Sequence, residues 1–207
     1  MLAELSIIDF LDKTAGNEPV PGGGSISALN AALAAALAKM VTGLTIGKKK
    51  YEDREKRMNE LSSLFENYLE GFVHDIDADS DAYNVVFSAF KLPKETEEEK
   101  TERAKKIQDA TRIATEVPLQ VAKNAFEMME PIMETAKIGN QNAVTDACVA
   151  MMAARTAVLG ALLNVRINLS SITDNDYKEH IEKEADKLET AAIIKEQELL
   201  NWVKEIL

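Results

Sequence analysis

The chain has 207 residues, 46% of them hydrophobic, which is enough for one large domain with its own core. Its net charge of −11 argues against general nucleic-acid binding, because neutralising phosphates needs a basic face. A single cysteine, Cys148, excludes an internal disulfide, and with only His74 and His180 beside it the usual zinc ligand sets cannot form, so no metal site is expected.

Helical periodicity runs along nearly the whole chain and predicts an all-α, multihelical fold of about six helices. The predicted helices span 4–14, 25–47, 52–91, 95–136, 141–171 and 174–206. The first is amphipathic, with acids among its apolar residues and no basic start, so it is interpreted as a helix and not a signal peptide. We therefore expect a cytoplasmic protein. Pro118 and Pro131 lie inside the fourth helix, which we expect to kink or divide there.

A glycine-rich segment, PGGGS, precedes the second predicted helix. Its residues Gly22, Gly23, Gly24 and Ser25 allow close approach to the backbone, and a helix N-terminus favours an anion. The segment predicts either a site for a carboxylate or phosphate, or a plain turn. No strand precedes it and no GK[ST] follows, so it is neither a dinucleotide fingerprint nor a P-loop.

The apolar segment 26–46 of the second predicted helix is long enough to cross a membrane, but it consists largely of alanine and is interrupted by polar residues, so no membrane span is expected. It has an edge of large residues and an edge of small ones. The small-residue edge suits a central helix or a subunit interface. Lys48, Lys49 and Lys50 follow the helix and form either a solvated helix end or an anion-binding cluster.

The third helix carries a carboxylate on an apolar stripe. At 100° per residue Asp79 falls in the middle of a stripe that runs from Phe72 to Phe90, whereas Asp77 and Asp81 point the opposite way and are interpreted as solvated. A carboxylate on an apolar face is costly unless it is paired or neutralised. Asp79 is therefore either a buried structural acceptor or an acid/base group with a perturbed pKa.

The fifth helix has a polar edge with small residues between the polar ones. Asp146, Asn164 and Asn168 lie along it, and the small side chains leave room for a ligand or for a neighbouring helix. Asp146 and Asn164 would be about 27 Å apart on a straight helix. Unless the helix breaks, they cannot serve one reacting atom, so they would serve opposite ends of a long ligand or two sites of a dimer.

Six segments together resemble the formiminotetrahydrofolate cyclodeaminase/methenyltetrahydrofolate cyclohydrolase family. In order they are PGGGS (21–25), LTIGKKKYED (44–53), DSDAYNVVFSAFKLPK (79–94), VPLQVA (117–122), GNQNAVTDA (139–147) and NVRIN (164–168). The resemblance covers roughly residues 5–175 and implies two closely packed helical subdomains within a single domain, 1–207, and a homodimer. The formiminotransferase domain that is fused in some relatives is not expected here.

The resemblance also implies a site. It nominates Asp79 and Asp146 as catalytic residues and the glycine-rich turn and polar groups as substrate-binding residues: Gly22, Gly23, Gly24, Ser25, Lys48, Lys49, Lys50, Asn142, Asn164 and Asn168. Thr145 stands where a serine is common in the family. The implied substrate is a tetrahydrofolate derivative, with or without a polyglutamate tail, and no cofactor is expected.

The implied reactions are closure of the N5,N10-methenyl bridge with loss of ammonia, as in histidine degradation, and opening of that bridge by water. Both pass through a tetrahedral carbon between N5 and N10, so the sequence does not separate cyclodeaminase from cyclohydrolase. Two alternatives stay open: a non-catalytic helical dimer that binds folate or serves as a scaffold, and a family member that has lost its activity.

Overall fold

The computed structural model describes residues 1–207 and contains no strand. Its six helices are α1 (Ile7–Thr14), α2 (Gly23–Gly43), α3 (Glu55–Phe90), α4 (Glu97–Ile138), α5 (Val144–Leu169) and α6 (Asn175–Lys204). Short 3-10 turns lie at Leu2–Glu4, Lys49–Arg54 and Gln141–Ala143. The predicted all-α fold of about six helices is confirmed. The second helix ends earlier than predicted, and the left-handed conformation of Gly47 marks the turn that follows it.

Helix α4 runs undivided through both of its prolines, so of the two expected outcomes, a kink or a division, the division is wrong. Its start is fixed by a capping box in which Thr96 and Glu99 each bond to the other's backbone N–H group. Pro118 removes one backbone donor but is buried, and the long helix packs against both α3 and α5. This burial holds the helix together across a residue that would end an isolated one.

Helix α2 lies at the centre of the fold, between α3 and α5. Its small-residue edge is buried inside the chain, together with Thr45 in the turn that follows the helix: Ala28, Ala31, Ala35, Ala38 and Thr42. Of the two predicted alternatives, central helix or subunit interface, this edge therefore belongs to a central helix. The 42 buried apolar residues form one core to which all six helices contribute.

Helices α2 and α5 are antiparallel, which decides where the polar groups meet. Gly23 at the start of α2 lies against Asn164 near the end of α5. At the other end, the N–H of Asn140, just before α5, donates to Thr45 Oγ1 at 2.8 Å. The pair therefore has one end that carries the glycine-rich turn and another that carries the lysine cluster.

Two helical segments, α2 and Gln141–Leu169, are long and apolar enough to cross a membrane by length and composition. Half of each apolar window is buried inside the protein. Core helices of soluble proteins meet the same criterion, so this finding does not assign either helix to a membrane.

Candidate active site

A cavity of about 310 Å³ lies at the N-terminal end of α2, which is large enough for part of a small-molecule ligand. Helices α3, α4 and α5 complete its walls. Six of the predicted site residues line it: Gly22, Gly23, Gly24, Asp79, Asn164 and Asn168. The structure thus brings together residues that are up to about 145 positions apart in the sequence.

Asp79 reaches from α3 to the first turn of α2. The N-cap of α2 is Gly22, which has no side chain to cap the helix, and the Asp79 carboxylate lies against the adjacent backbone. A Cβ atom placed on Gly24 would be 1.9 Å from Asp79 Oδ1, so only glycine allows this approach. Negative charge is favoured at a helix N-terminus, which explains how a carboxylate is accommodated on an otherwise apolar stripe.

Ser25 contacts the Asp79 carboxylate on the side that faces away from the cavity. Its hydroxyl oxygen is 3.1 Å from Asp79 Oδ2, 2.9 Å from the carbonyl oxygen of Ile76 and 3.2 Å from Ser80 Oγ. Ser25 is fully buried and does not line the cavity. The structure therefore does not bring the Ser25 side chain to the cavity, and its hydroxyl points inward to Asp79.

Burial raises the pKa of the Asp79 carboxyl group above its ordinary value. The hydroxyl and backbone N–H of Ser25 donate to the carboxylate and oppose this rise, with the smaller effect. A carboxyl group whose pKa lies closer to neutrality both accepts and returns a proton more readily, as a general acid/base must. Asp79 thus has the environment expected of an acid/base residue.

Asn164 and Asn168 lie across the cavity from Asp79, each fixed through its amide nitrogen. Asn164 Nδ2 donates to the carbonyl oxygen of Gly160 at 2.8 Å, one turn back on α5. Asn168 Nδ2 donates to the carbonyl oxygen of Ala114 on α4 at 2.6 Å. Each amide keeps its oxygen and one N–H for a ligand, so the pair can recognise a ring that both donates and accepts.

The remaining predicted site residues lie at the opposite end of α2. A helix of 21 residues separates this end from the glycine-rich turn by about 31 Å. Lys48 and Lys49 border a shallow depression that also contains Glu52 and Glu55. Asn142 and Asp146 stand at the start of α5, which is unbroken. Within one chain the structure does not bring Lys48, Lys49, Lys50, Asn142 or Asp146 to the cavity.

The sequence did not predict the residues that form the apolar walls of the cavity. They are Pro19, Val20, Tyr83, Val86, Ala114 and Ile167. The Asp79 stripe on α3 contains the signal, because Tyr83 and Val86 belong to it. Only its first part, with Phe72 and Ile76, is buried in the core, whereas Tyr83 is 38% exposed and faces the cavity. An apolar stripe on a helix does not show where core packing ends and a ligand wall begins.

Asp77 also differs from its prediction. It is not simply solvated, because its carboxylate accepts the backbone N–H groups of Leu2 and Ala3 at 2.5 and 3.3 Å. These bonds fasten the N-terminal segment onto α3 beside the candidate site.

Comparison with known proteins identifies the family of the chain. The sequence profile of the formiminotransferase-cyclodeaminase family matches residues 6–187. Methenyltetrahydrofolate cyclohydrolase of Methylorubrum extorquens is 39% identical over 191 residues, which cover 91% of this chain and 90% of that protein. Mouse formimidoyltransferase-cyclodeaminase is 36% identical over 178 residues, or 86% of this chain and 33% of the longer mouse protein.

The fold is also shared with a protein of known structure. The crystal structure of formiminotetrahydrofolate cyclodeaminase from Thermotoga maritima matches with a TM-score of 0.88 and 27% sequence identity, over 100% of this chain and 99% of that one. A family profile that covers most of the chain, a relative matched along nearly its full length and a shared fold agree with one another. This chain belongs to the formiminotransferase-cyclodeaminase family.

Proposed function

We propose that this chain is a folate one-carbon enzyme that closes or opens the N5,N10-methenyl bridge of tetrahydrofolate, with Asp79 as its acid/base residue. The predicted enzyme class is supported by the activities for which the relatives are named, a cyclohydrolase and cyclodeaminases. The observation that carries the role of Asp79 is its position: a half-buried carboxylate with a raised pKa, in the cavity that also holds Asn164 and Asn168.

Both reactions need a proton shuttle and a negative charge beside a cationic carbon. In the cyclodeaminase direction N10 attacks the formimino carbon and ammonia leaves. In the cyclohydrolase direction water attacks the methenyl carbon and the bond to N5 breaks. Asp79 would take the proton from the attacking N10 or water, return it to the leaving nitrogen and balance the positive charge. Side chains meet these needs, so we propose a reaction without metal or redox cofactor.

The walls of the cavity suit a folate head group. Asn164 and Asn168 would hold polar atoms of the pterin ring, because an amide both donates and accepts. Tyr83, Val86 and Ile167 provide an apolar wall for the face of the ring. Cytoplasmic location and a part in histidine degradation stay predictions.

The two directions are distinguished by ultraviolet absorbance of the methenyl chromophore. We expect purified protein to raise this absorbance with 5-formiminotetrahydrofolate, or to lower it with 5,10-methenyltetrahydrofolate faster than water alone. Activity in one assay only would assign the direction. Unchanged absorbance in both assays, together with measurable folate binding, would favour the non-catalytic alternative.

A homodimer is the second part of the proposal. Helices α2 and α5 lie side by side, and each exposes a row of large apolar side chains: Leu33 and Met40 on α2 with Leu44 directly after it, and Val149, Met152, Leu163 and Ile167 on α5. Apolar surface of this kind commonly marks an interface. The predicted dimer thus has support, but from the large-residue edge of α2 and not from the buried alanine edge.

We predict that Leu163→Asp gives a folded monomer of 22.8 kDa, whereas the unchanged chain sediments as a dimer at micromolar concentration. Leu163 is 64% exposed, so a charge there is harmless to the monomer but would be buried and unpaired in the interface. Ile194→Asp is the matched control, because Ile194 on α6 is 54% exposed and lies outside both rows. A clean monomer of the unchanged chain would count against the dimer.

A dimer would bring the predicted site residues at the far end of α2 close to a cavity. Ile167 belongs both to the exposed row of α5 and to the cavity, so the proposed interface reaches the mouth of the site. A two-fold axis across the antiparallel pair would reverse its ends. We propose that Lys48–Lys50, Asn142 and Asp146 of one protomer then face the cavity of its partner, where the lysines would hold an anionic folate tail.

Replacing Lys48, Lys49 and Lys50 with alanine is expected to weaken binding of polyglutamylated folate more than binding of the monoglutamate. The difference should shrink with added salt, which screens exposed charges. The matched control replaces Lys100, Lys105 and Lys106, three exposed lysines of α4, and makes the same change in net charge. Equal losses of affinity for both ligands, or no loss, would support the alternative interpretation, in which the three lysines are a solvated helix end.

A further inference from the structure

We propose that the hydroxyl groups of Ser25 and Ser80 carry the proton that Asp79 exchanges with solvent, and that they connect Asp79 to a second cavity beneath the N-terminal segment. This inference rests on the proposed function, in which Asp79 is the acid/base residue. Neither serine lines the first cavity, so neither is placed to touch the substrate.

The three side chains form a continuous line of oxygen atoms. Ser25 Oγ is 3.1 Å from Asp79 Oδ2 and 3.2 Å from Ser80 Oγ, and both serines are buried. When Asp79 is ionised, Ser80 donates to Ser25 and Ser25 donates to the carboxylate. When Asp79 is protonated, the same atoms support the reverse direction, from the carboxyl group to Ser25 and on to Ser80. The carbonyl oxygen of Ile76, at 2.9 Å, is an alternative acceptor, which competes for the single hydroxyl hydrogen of Ser25.

The far end of this line reaches a separate cavity of about 310 Å³. Ser80 lines it, and Val20 lines both cavities and so forms part of the wall between them. The charged groups around the second cavity are Asp77 and Asp81 from α3 and, from the N-terminal segment, Lys13 and the terminal residue Met1. The second cavity is therefore polar enough for water to enter and take up or supply a proton.

Both reactions require one proton to pass between the site and solvent in each turnover. Addition of water to the methenyl cation forms a neutral formyl product, so one proton must leave in each turnover. Closure of the bridge from a neutral formimino group forms that cation and ammonia, so one proton must enter. In the proposed complex a folate molecule in the first cavity would cover Asp79 and close its direct route to solvent. The serine pair leads away from the substrate and remains open.

The transfer itself needs no unusual species. The Asp79 carboxyl passes its proton to Ser25 Oγ while Ser25 passes its own to Ser80 Oγ, and Ser80 passes its own to water. Each oxygen gains one O–H bond as it loses another, so no alkoxide forms. Rotation of the two hydroxyl groups restores the starting arrangement, and proton uptake runs through the same steps in reverse.

Ser80→Ala tests the proposal because it removes the outer hydroxyl without touching the first cavity. We expect kcat to fall by about 10-fold and KM to change by less than about twofold, since proton transfer is impaired and substrate contacts are intact. The kinetic effect of D₂O on kcat should exceed that of the unchanged enzyme, and added imidazole should restore part of the rate. Ser80→Thr keeps a hydroxyl and should recover activity.

Ser88→Ala is the matched control. Ser88 lies on the same helix, and its hydroxyl donates only to the carbonyl oxygen of Asn84, one turn back, at 2.8 Å. Its kcat and D₂O effect should equal those of the unchanged enzyme. If Ser80→Ala does not fold, Ser80→Cys replaces it: the thiol is a weak donor of similar size, and kcat should fall with the same rise in the D₂O effect.

Three results would overturn the relay. A Ser80→Ala enzyme with normal kcat and D₂O effect would reject it, while an inactive Asp79→Asn enzyme in the same assay would leave the proposed function intact. A fall in kcat with an unchanged D₂O effect and no response to imidazole would give Ser80 a structural role instead. An active Asp79→Asn enzyme would remove the acid/base role and the relay with it.

Discussion

Asp79→Asn is expected to lower kcat by about 10²-fold or more, the usual effect of losing an acid/base group. Asparagine has nearly the same shape as aspartate, and its oxygen can still accept the hydrogen bond from Ser25. The substitution therefore removes the proton-carrying group and the negative charge while it leaves the cavity intact. Folate binding should change much less than kcat, because Asn164, Asn168 and the apolar walls are untouched. Single-turnover rates and equilibrium binding separate the two quantities.

The same variant should be at least as stable as the unchanged protein at neutral pH. Burial raises the pKa of Asp79 in the folded protein above that of the unfolded chain, so between these two values the folded state binds more protons. This carboxyl group therefore contributes stability that is complete below its unfolded pKa and is lost as pH rises through its folded pKa. The amide of the Asp79→Asn variant does not titrate, so the stability advantage of the variant should grow as pH rises through that window.

Denaturant unfolding of both proteins at several pH values tests this expectation. If Asp79 serves mainly as the cap of α2, its replacement would destabilise the protein, by about 1–3 kcal/mol, through loss of a half-buried charged acceptor. Turnover per folded molecule would then stay near normal. That pair of results would remove Asp79 from the mechanism and leave Asp146, brought by a partner protomer, as the candidate.

The helices were predictable from the sequence because each has to bury one face, and a repeat of 3.6 residues records that need. The undivided α4 was not predictable, since whether a helix survives Pro118 depends on the burial that α3 and α5 provide. The same limit applies to the small-residue edge of α2. Its composition predicts close packing, but only the fold shows that the neighbour is another helix of the same chain.

The site was predictable in part. Asp79 is identified by its helical projection and by the family resemblance together, and the structure places it in the cavity with Asn164 and Asn168. The predicted site set mixed the two ends of the α2–α5 pair, because motif order does not show which end of an antiparallel helix meets which. The proposed role of Ser80 was not predictable for a different reason. A serine next to an aspartate carries no sequence signal of a relay, and only the fold shows that Ser25 lies opposite it.

Gly24→Ala is expected to be the most damaging conservative change in α2. Its added Cβ would fall 1.9 Å from Asp79 Oδ1 and 2.4 Å from Asp79 Cγ, both impossible contacts. The Asp79 carboxylate must therefore move by about 1 Å, and a misplacement of that size lowers turnover by about 10²-fold when the displaced group handles the proton. Overpacking of the buried helix start should also destabilise the protein by about 1–3 kcal/mol.

Gly43→Ala is the matched control in the same helix. A Cβ at Gly43 meets nothing within 4 Å, so that variant should keep full turnover and gain up to about 1 kcal/mol from the better helix propensity of alanine. The decisive measurement combines the two site variants. In the Asp79→Asn background, Gly24→Ala should reduce turnover little further, because the carboxylate that it displaces is already absent. Full additivity of the two losses would mean that Gly24 acts on the reaction independently of Asp79, for instance through the backbone N–H groups of the α2 N-terminus.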